Sequence, residues 1–453
     1  MVSLWFGAAL LEAGWVENVR FGIEAGRIDR IDIGVEAAQQ DEQHAVALPG
    51  VPNVHSHAFQ RAMAGLTENA GPGADSFWTW RNLMYRFVER LDPEDLEAIS
   101  AFAFAEMLEA GFTRVGEFHY LHHDRDGTPY ANLGELAARI AAAAQDTGIG
   151  LTLLPVFYAH SNFGGVPPGA GQRRFINDLD GFARLLEASR RAVQALDAAR
   201  VGVAPHSLRA VTPQELAALV SLAPDAPLHL HIAEQVKEVN DCIAWCGRRP
   251  VEWLLDHHPV DERWCLVHAT HVNAEEAHRL AASASVAGLC PITEANLGDG
   301  IFPAPEYLAA GGACGIGTDS NVLVNAAEEL RMLEYAQRLT HRRRNVLARG
   351  LEHSTGRRLL ETAVAGGAQA LGDDRRGLVA GADADIVSLD TAHDSLLSRR
   401  GDALLDSWIF AARAPVIDCV WRYGRKVVSG GRHIGRDAIT ARYRRVLASL
   451  LGS

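Results

Sequence analysis

Along this chain, short apolar runs alternate with longer stretches of mixed polarity. From Val46 onward the runs read VALPGVPNVHSH, TRVGEFHY, IGLTLLPVFYAH, ARVGVAPHSL, APLHLHIAE, RWCLVHATH, ASVAGLCP and ACGIGTDSN. Between most of them lie stretches of helical period, among them NLGELAARIAAAAQDTG, DGFARLLEASRRAVQAL, TPQELAALVSLA and NAEEAHRLAAS. Strands alternating with helices predict parallel β/α units. Eight such units predict a closed (β/α)8 TIM-like barrel in an α/β protein. The alternative is an open doubly wound sheet; the eightfold count and the site below favour the barrel.

The ends read differently. VRFGIEAGRIDRIDIG near the start alternates like a hairpin with glycine turns. RGLVAGADADIVSLD and VIDCVWRYGRKVVSGGRH near the end are short β runs with turn signals. The expectation is a small β-sandwich domain built from both termini. Residues 1–45 are its N-terminal part, 46–375 the barrel, and 376–453 its C-terminal part with a closing helix in DAITARYRRVLASLL. NAGPGAD, from Asn69 to Asp75, reads as a flexible loop after the first barrel strand. The adjoining SFWTWR reads either as a lid that excludes water or as a hydrophobic staple onto the barrel rim.

Composition narrows the function classes. The formal charge is −13, from 43 basic and 56 acidic residues, and no basic run offers a phosphate footprint, so a nucleic-acid partner is not expected. An anionic substrate remains compatible, because a buried site can differ in sign from the whole surface. No apolar run is long enough to span a bilayer, and the apolar N-terminus lacks the basic start of a signal peptide. The six cysteines form no CxxC pair and read as reduced packing residues of a cytoplasmic protein, with Cys242 and Cys246 on one helix face.

Of the 19 histidines, a few fall where barrel strands end, which is where barrel enzymes carry their chemistry. His55 and His57 form an HxH, and residues i and i+2 of a strand point the same way, so both imidazoles can face one ion. His231 ends the fifth run, His268 the sixth and Asp319 the eighth. Four imidazoles and a carboxylate converging from separate strands predict a metal site. Mixed nitrogen and oxygen ligands suit zinc, though iron or manganese also fit. In PLHLHIAEQ, His229 and His231 share one side of a strand but differ in depth by roughly 6.5 Å. The later one belongs to the mouth. His271, just past the sixth run, competes with His268, which ends the apolar CLV and is preferred. His122, His123, His257, His258, His341 and His353 are expected on loops or helix surfaces.

HxH, then HxxE, then a histidine after the sixth strand and an aspartate after the eighth is similar to the amidohydrolase superfamily, in its mononuclear deaminase branch. ALPGVPNVHSH resembles that family's first-strand signature, and GLVAGADADIVSLD its returning β-domain segment, so the resemblance spans nearly the whole chain. It implies that His55, His57, His231 and Asp319 hold one divalent metal, with Zn2+ expected. It implies catalytic roles for Glu234 as proton shuttle, His268 as the group orienting the attacking water, and Asp319 as proton acceptor. Two-metal members of the superfamily bridge their ions with a lysine after strand 4. Here VGVAPHSLRA offers none. The combination of HSHAFQRAMAG, DSFWTWR and APHSLRAVTP resembles members that release ammonia from the formimino group of N-formimino-L-glutamate in histidine breakdown. That resemblance assigns Gln60, Arg81, Tyr120, His206 and Arg209 to the carboxylates of a small dicarboxylate amidine. Arg61 follows Gln60, and arginine suits bidentate carboxylate recognition. It also suggests a homodimer. The rival readings are a deaminase of guanine, an adenosine-type nucleoside or another cyclic amidine, a triazine chlorohydrolase-like enzyme, and a noncatalytic scaffold.

Overall fold

The computed structural model describes residues 2–69, 77–348, 350 and 353–452. Its centre is a parallel sheet. Barrel strands 1 to 8 are, in order, Val51–Ser56, Phe112–His119, Gly150–Phe157, the broken pair Arg200–Val201 and Ala204–Pro205, Leu228–Ile232, Trp264–His268, Val286–Leu289 and Ala313–Ile316. Strand 8 pairs with strand 1, Ile316 lying opposite Asn53. Strand 4 meets strand 5 through parallel bridges at Val203–Leu228 and Ser207–His231. The sheet therefore closes on itself, and the expected (β/α)8 barrel is the fold.

Each of the eight apolar runs supplies a barrel strand. A strand packed inside on its neighbours and outside on helices must be apolar throughout. Strands 2 and 3 are buried at every position. Strand 4 is interrupted at Gly202, where a Cβ atom would lie 2.6 Å from both Leu154 Cδ2 and Pro227 O. The four helical stretches form as Glu135–Thr147, Leu179–Val193, Pro213–Leu222 and Ala274–Ala282. The last two open on capping boxes, Thr212 with Glu215 and Asn273 with Glu276.

The first run needs a correction, because it holds two strands of different sheets. Glu42–Pro49 pairs in parallel with Val2–Leu11 and antiparallel with Ile386–Leu389, whereas Val51–Ser56 belongs to the barrel. The chain changes sheet at Gly50 rather than after residue 45. Both strands bury apolar side chains, so hydropathy runs on without a break. A Cβ on Gly50 would lie 2.2 Å from Thr113 Oγ1, so only glycine fits at the crossing.

The termini build one eight-stranded sheet. Its order is Arg432–His433, Arg425–Ser429, Ile417–Arg422, Ile386–Leu389, Glu42–Pro49, Val2–Leu11, Gly14–Glu24 and Arg27–Ile33. Phe6 and Trp421 have ring centroids 5.8 Å apart, although their strands stand three places apart, about 14 Å in a flat sheet. The sheet thus folds over a core that includes Leu4, Phe6, Phe21, Ile386 and Trp421, giving the sandwich-like domain expected. Its hairpins turn at Ala25–Gly26 (φ 47° and 81°) and Tyr423–Gly424 (φ 52° and 71°), the left-handed pairs of type I′ turns. The closing helix Arg436–Leu451 packs on Pro93–Glu109, with Phe102 and Tyr443 stacked at 3.9 Å. A buried ion pair, Arg114–Asp383 at 3.1 Å, joins barrel strand 2 to the terminal domain. All six cysteines are free thiols. No described helix is long and apolar enough to cross a membrane.

Candidate active site

The carboxyl ends of barrel strands 1, 5 and 8 bring four ligand groups together. His55 Nε2 lies 3.2 Å from His57 Nε2 and 3.0 Å from His231 Nε2. Asp319 Oδ1 lies 3.5 Å from His55 Nε2 and 3.3 Å from His57 Nε2. All four ligand atoms fall within 4.8 Å of one another, and all four residues are buried.

Their neighbours fix which atoms face inward. His57 Nδ1 lies 3.0 Å from Phe118 O, and His231 Nδ1 lies 2.9 Å from His206 O. A carbonyl can only accept, so each Nδ1 carries the proton and each Nε2 turns a lone pair to the centre. Burial, reinforced by the adjoining imidazoles, holds His55 and His231 well below the usual histidine range, and they stay neutral. Three lone pairs and a carboxylate oxygen at these separations repel unless a cation sits among them. The donor set fits a single divalent ion.

Asp319 is placed by a buried network. Asn53 Nδ2 donates to Thr318 Oγ1 (2.7 Å), Thr318 Oγ1 donates to Asn321 Oδ1 (2.6 Å), and Asn321 Nδ2 donates to His57 O (3.1 Å). The amides of Thr318 and Asp319 both donate to His55 O at 3.0 Å. Gly317 permits this approach, since a Cβ there would lie 2.8 Å from His55 O. Ala233, His268, Ala269 and Asp319 have φ of 50°, 69°, 49° and 44°. Left-handed backbone at non-glycine residues thus gathers where the strands end at the site.

His268 stands beside the cluster. Its Nδ1 lies 3.2 Å from Glu294 Oε1, and its Nε2 lies 3.7 Å from Asp319 Oδ2 and 3.8 Å from Glu234 Oε1. Burial pulls this imidazole down, but Glu234, Glu294 and Asp319 outweigh it and raise it to about 10. Burial pushes the Glu234 carboxyl up to about 7; His268 opposes this and Asp319 adds to it. A carboxyl poised near neutrality can both hold and release a proton. His229 lies deeper, its Nε2 donating to Ala370 O at 2.8 Å, and takes no part in the cluster. His271 is only partly buried and also stands outside it. His122 and His123 are buried rather than on a loop surface, bonded to Val156 O (2.9 Å) and Ile176 O (2.7 Å). The segment after strand 2 folds inward there, which spacing does not reveal.

Gln60, Arg81, Tyr120, His206 and Arg209 line the same cleft, which holds ≈ 560 Å³ of space between atoms, its mouth included; the His206 ring lies 4.9 Å from that of His231, and the Tyr120 ring 5.0 Å from that of His57. Gln60 Nε2 donates to Tyr120 Oη at 2.9 Å. Arg81 lies 4.5 Å and Arg209 5.8 Å from the Trp78 ring centroid. Among the described residues, Gln60 Oε1 and Arg209 Nε have no hydrogen-bond partner although buried. Arg61 turns away and pairs with Glu106 at 2.5 Å. The roof is the helix Phe77–Val88, which brings Trp80, Met84 and Tyr85 to the cleft. Apolar or aromatic residues at 77, 80, 84 and 88 have the spacing of one helix face, a signal that reading SFWTWR alone missed. Tyr158, at the end of strand 3, also lines the cleft. The loop expected over Asn69–Asp75 lies, beyond Asn69, outside the described residues.

The amidohydrolase family matches residues 46–427. The chain belongs to that family. An N-terminal domain described as that of formimidoylglutamate deiminase HutF matches residues 1–45. A formimidoylglutamate deiminase of Pseudomonas aeruginosa is 51% identical over 453 residues, covering 100% of both chains. An 8-oxoguanine deaminase of the same organism is 30% identical, covering 91% of this chain and 89% of its own. A crystal structure of an amidohydrolase from Brucella melitensis is 58% identical, with TM-score 0.97 and 100% of each chain covered. This amidohydrolase is therefore a hydrolytic enzyme of C–N bonds from a metal-dependent family, and its His-His-His-Asp cluster is where a metal fits.

Proposed function

We propose that this amidohydrolase converts N-formimino-L-glutamate and water to N-formyl-L-glutamate and ammonia. The observation that carries the reading is a single cleft with two sets of groups. One holds the His55, His57, His231 and Asp319 cluster with Glu234 and His268; the other holds Arg81, Arg209, His206, Gln60 and Tyr120. A formimino group at the first set leaves two carboxylates for the second. The full-length likeness to a formimidoylglutamate deiminase supports it.

His55, His57, His231 and Asp319 hold one divalent ion in this reading, with zinc the best match to three imidazoles and a carboxylate. Bound there, the ion supplies the Lewis acidity that makes water nucleophilic near neutral pH. The chain does the rest. Asp319 accepts a proton from the attacking water, and His268 Nε2, between Asp319 Oδ2 and Glu234 Oε1, orients that water. Glu234 delivers a proton to the departing nitrogen, so that ammonia leaves. Arg81 and Arg209 fix the substrate's carboxylates so that the formimino carbon lies at the attacking oxygen. The six free thiols support a reducing compartment, and we place the reaction in the cytoplasm, in histidine breakdown.

Replacing Arg209 or Arg81 tests the dicarboxylate assignment. Each is expected to lower kcat/KM on N-formimino-L-glutamate by roughly 10- to 150-fold on truncation to alanine, since a hydrogen bond to a charged group contributes about 1.5–3 kcal/mol. Unchanged kcat/KM in both variants removes the dicarboxylate reading and leaves a cyclic-amidine deaminase.

A further inference from the structure

Glu238 has no place in the mechanism above, yet it is fully buried and lies behind two groups that do. It is the third residue of the helix Val236–Cys246, whose N-cap Gln235 makes no side-chain capping bond. Glu238 instead reaches back past Gln235 to the two amides that precede it. Ala233 N donates to its Oε1 at 3.1 Å and Glu234 N to its Oε2 at 3.3 Å. Ala233 sits at φ 50°, a left-handed conformation that costs a non-glycine residue free energy and needs support from its surroundings. The Glu238 carboxylate thus pins the strained link between His231 and Glu234.

Its Oε2 also faces Arg209 Nε at 3.9 Å, with the two side chains 0% and 4% exposed. That distance is an ion pair without a hydrogen bond, so the guanidinium is balanced in charge but keeps its donors. Trp78 covers the same guanidinium at 5.8 Å and the Lys237 ammonium at 5.5 Å. Arg209 is therefore confined by an aromatic ring and by one carboxylate, and that carboxylate also holds the backbone of Glu234.

We propose that Glu238 is a positioning residue that ties the substrate-carboxylate clamp at Arg209 to the proton-transferring carboxyl of Glu234. The inference rests on the function proposed above. In this arrangement Arg209 and Glu234 are set from a single side chain, and the substrate's carboxylate and its leaving nitrogen are registered against the same carboxylate. A simple helix cap would affect folding and leave both kinetic constants alone.

The test is steady-state ammonia release from N-formimino-L-glutamate by the metal-replete protein and its E238Q, R209K and E238Q/R209K variants, with thermal unfolding recorded for each. Turnover by the unsubstituted protein tests the functional reading by itself, and comparison among the variants tests Glu238. E238Q removes the charge facing Arg209 and leaves one acceptor for two amides. It is expected to raise KM and lower kcat, each about tenfold, and its effect on KM is expected to disappear in the R209K background. Kinetic constants per folded molecule that match the unsubstituted protein overturn the proposal, as do KM effects that multiply in the double variant. If E238Q does not fold, E238D keeps the charge but withdraws it by one methylene. A several-fold rise in KM together with a fall in kcat supports the proposal, and both constants within twofold of the unsubstituted protein overturn it.

Discussion

His268 and His271 lie three residues apart and differ in what faces them. His268 is held at Nδ1 by Glu294 and presents Nε2 to Asp319 and Glu234; His271 meets none of these groups through any described ion pair. Exchanging His268 for asparagine is expected to lower kcat by about 10²–10⁴, the range for a group active in proton transfer, while His271→Asn stays within about fivefold. Steady-state ammonia release from the two purified variants checks the ranking, and the reverse order rejects it. His268 was legible because it closes an apolar strand, and His55 with His57 because alternate strand residues share a face. Glu294 and Glu238 were not. Each lies in the first turns of the helix after a strand, where acidic residues are common for reasons of capping and helix dipole alone. Only the fold shows Glu294 against His268 and Glu238 against Arg209.

Among the elements, strands were easier to read than helices or sheet boundaries. Both faces of a barrel strand are buried, so its whole length is apolar, and all eight runs could be seen. Pro93–Glu109 is buried over most of its circumference, which blurs the helical period. The passage between sheets at Gly50 left no mark in hydropathy because the strands on either side are equally buried. The junction depends on polar residues instead. Arg114 and Asp383 meet with side chains 3% and 6% exposed, and burial, with Arg422 and Arg200 nearby, lowers the Arg114 guanidinium to about 10. Removing Asp383 leaves the buried Arg114 with Ala198 O and the nearby Asp385 but one charged hydrogen bond short, so Asp383→Ala is expected to destabilise the fold by about 1–3 kcal/mol. Urea unfolding checks this; a loss under about 1 kcal/mol contradicts a structural role for the pair.

For the molecule as a whole, the net charge of −13 hides a cleft lined by groups of both signs. Glu234 and Asp319 stand at the cluster, and Arg81 and Arg209 line the same cleft. A substrate with a cationic amidine and two carboxylates matches both signs, whereas a neutral purine offers no carboxylate to the hydrogen-bond donors of the two arginines. The most direct measurement is ammonia release from N-formimino-L-glutamate, N-formimino-L-aspartate, guanine and adenosine, side by side, before and after chelation and zinc addition. The highest kcat/KM is expected on N-formimino-L-glutamate, lost on chelation and restored by zinc. Ammonia from guanine or adenosine, with none from N-formimino-L-glutamate, contradicts this expectation.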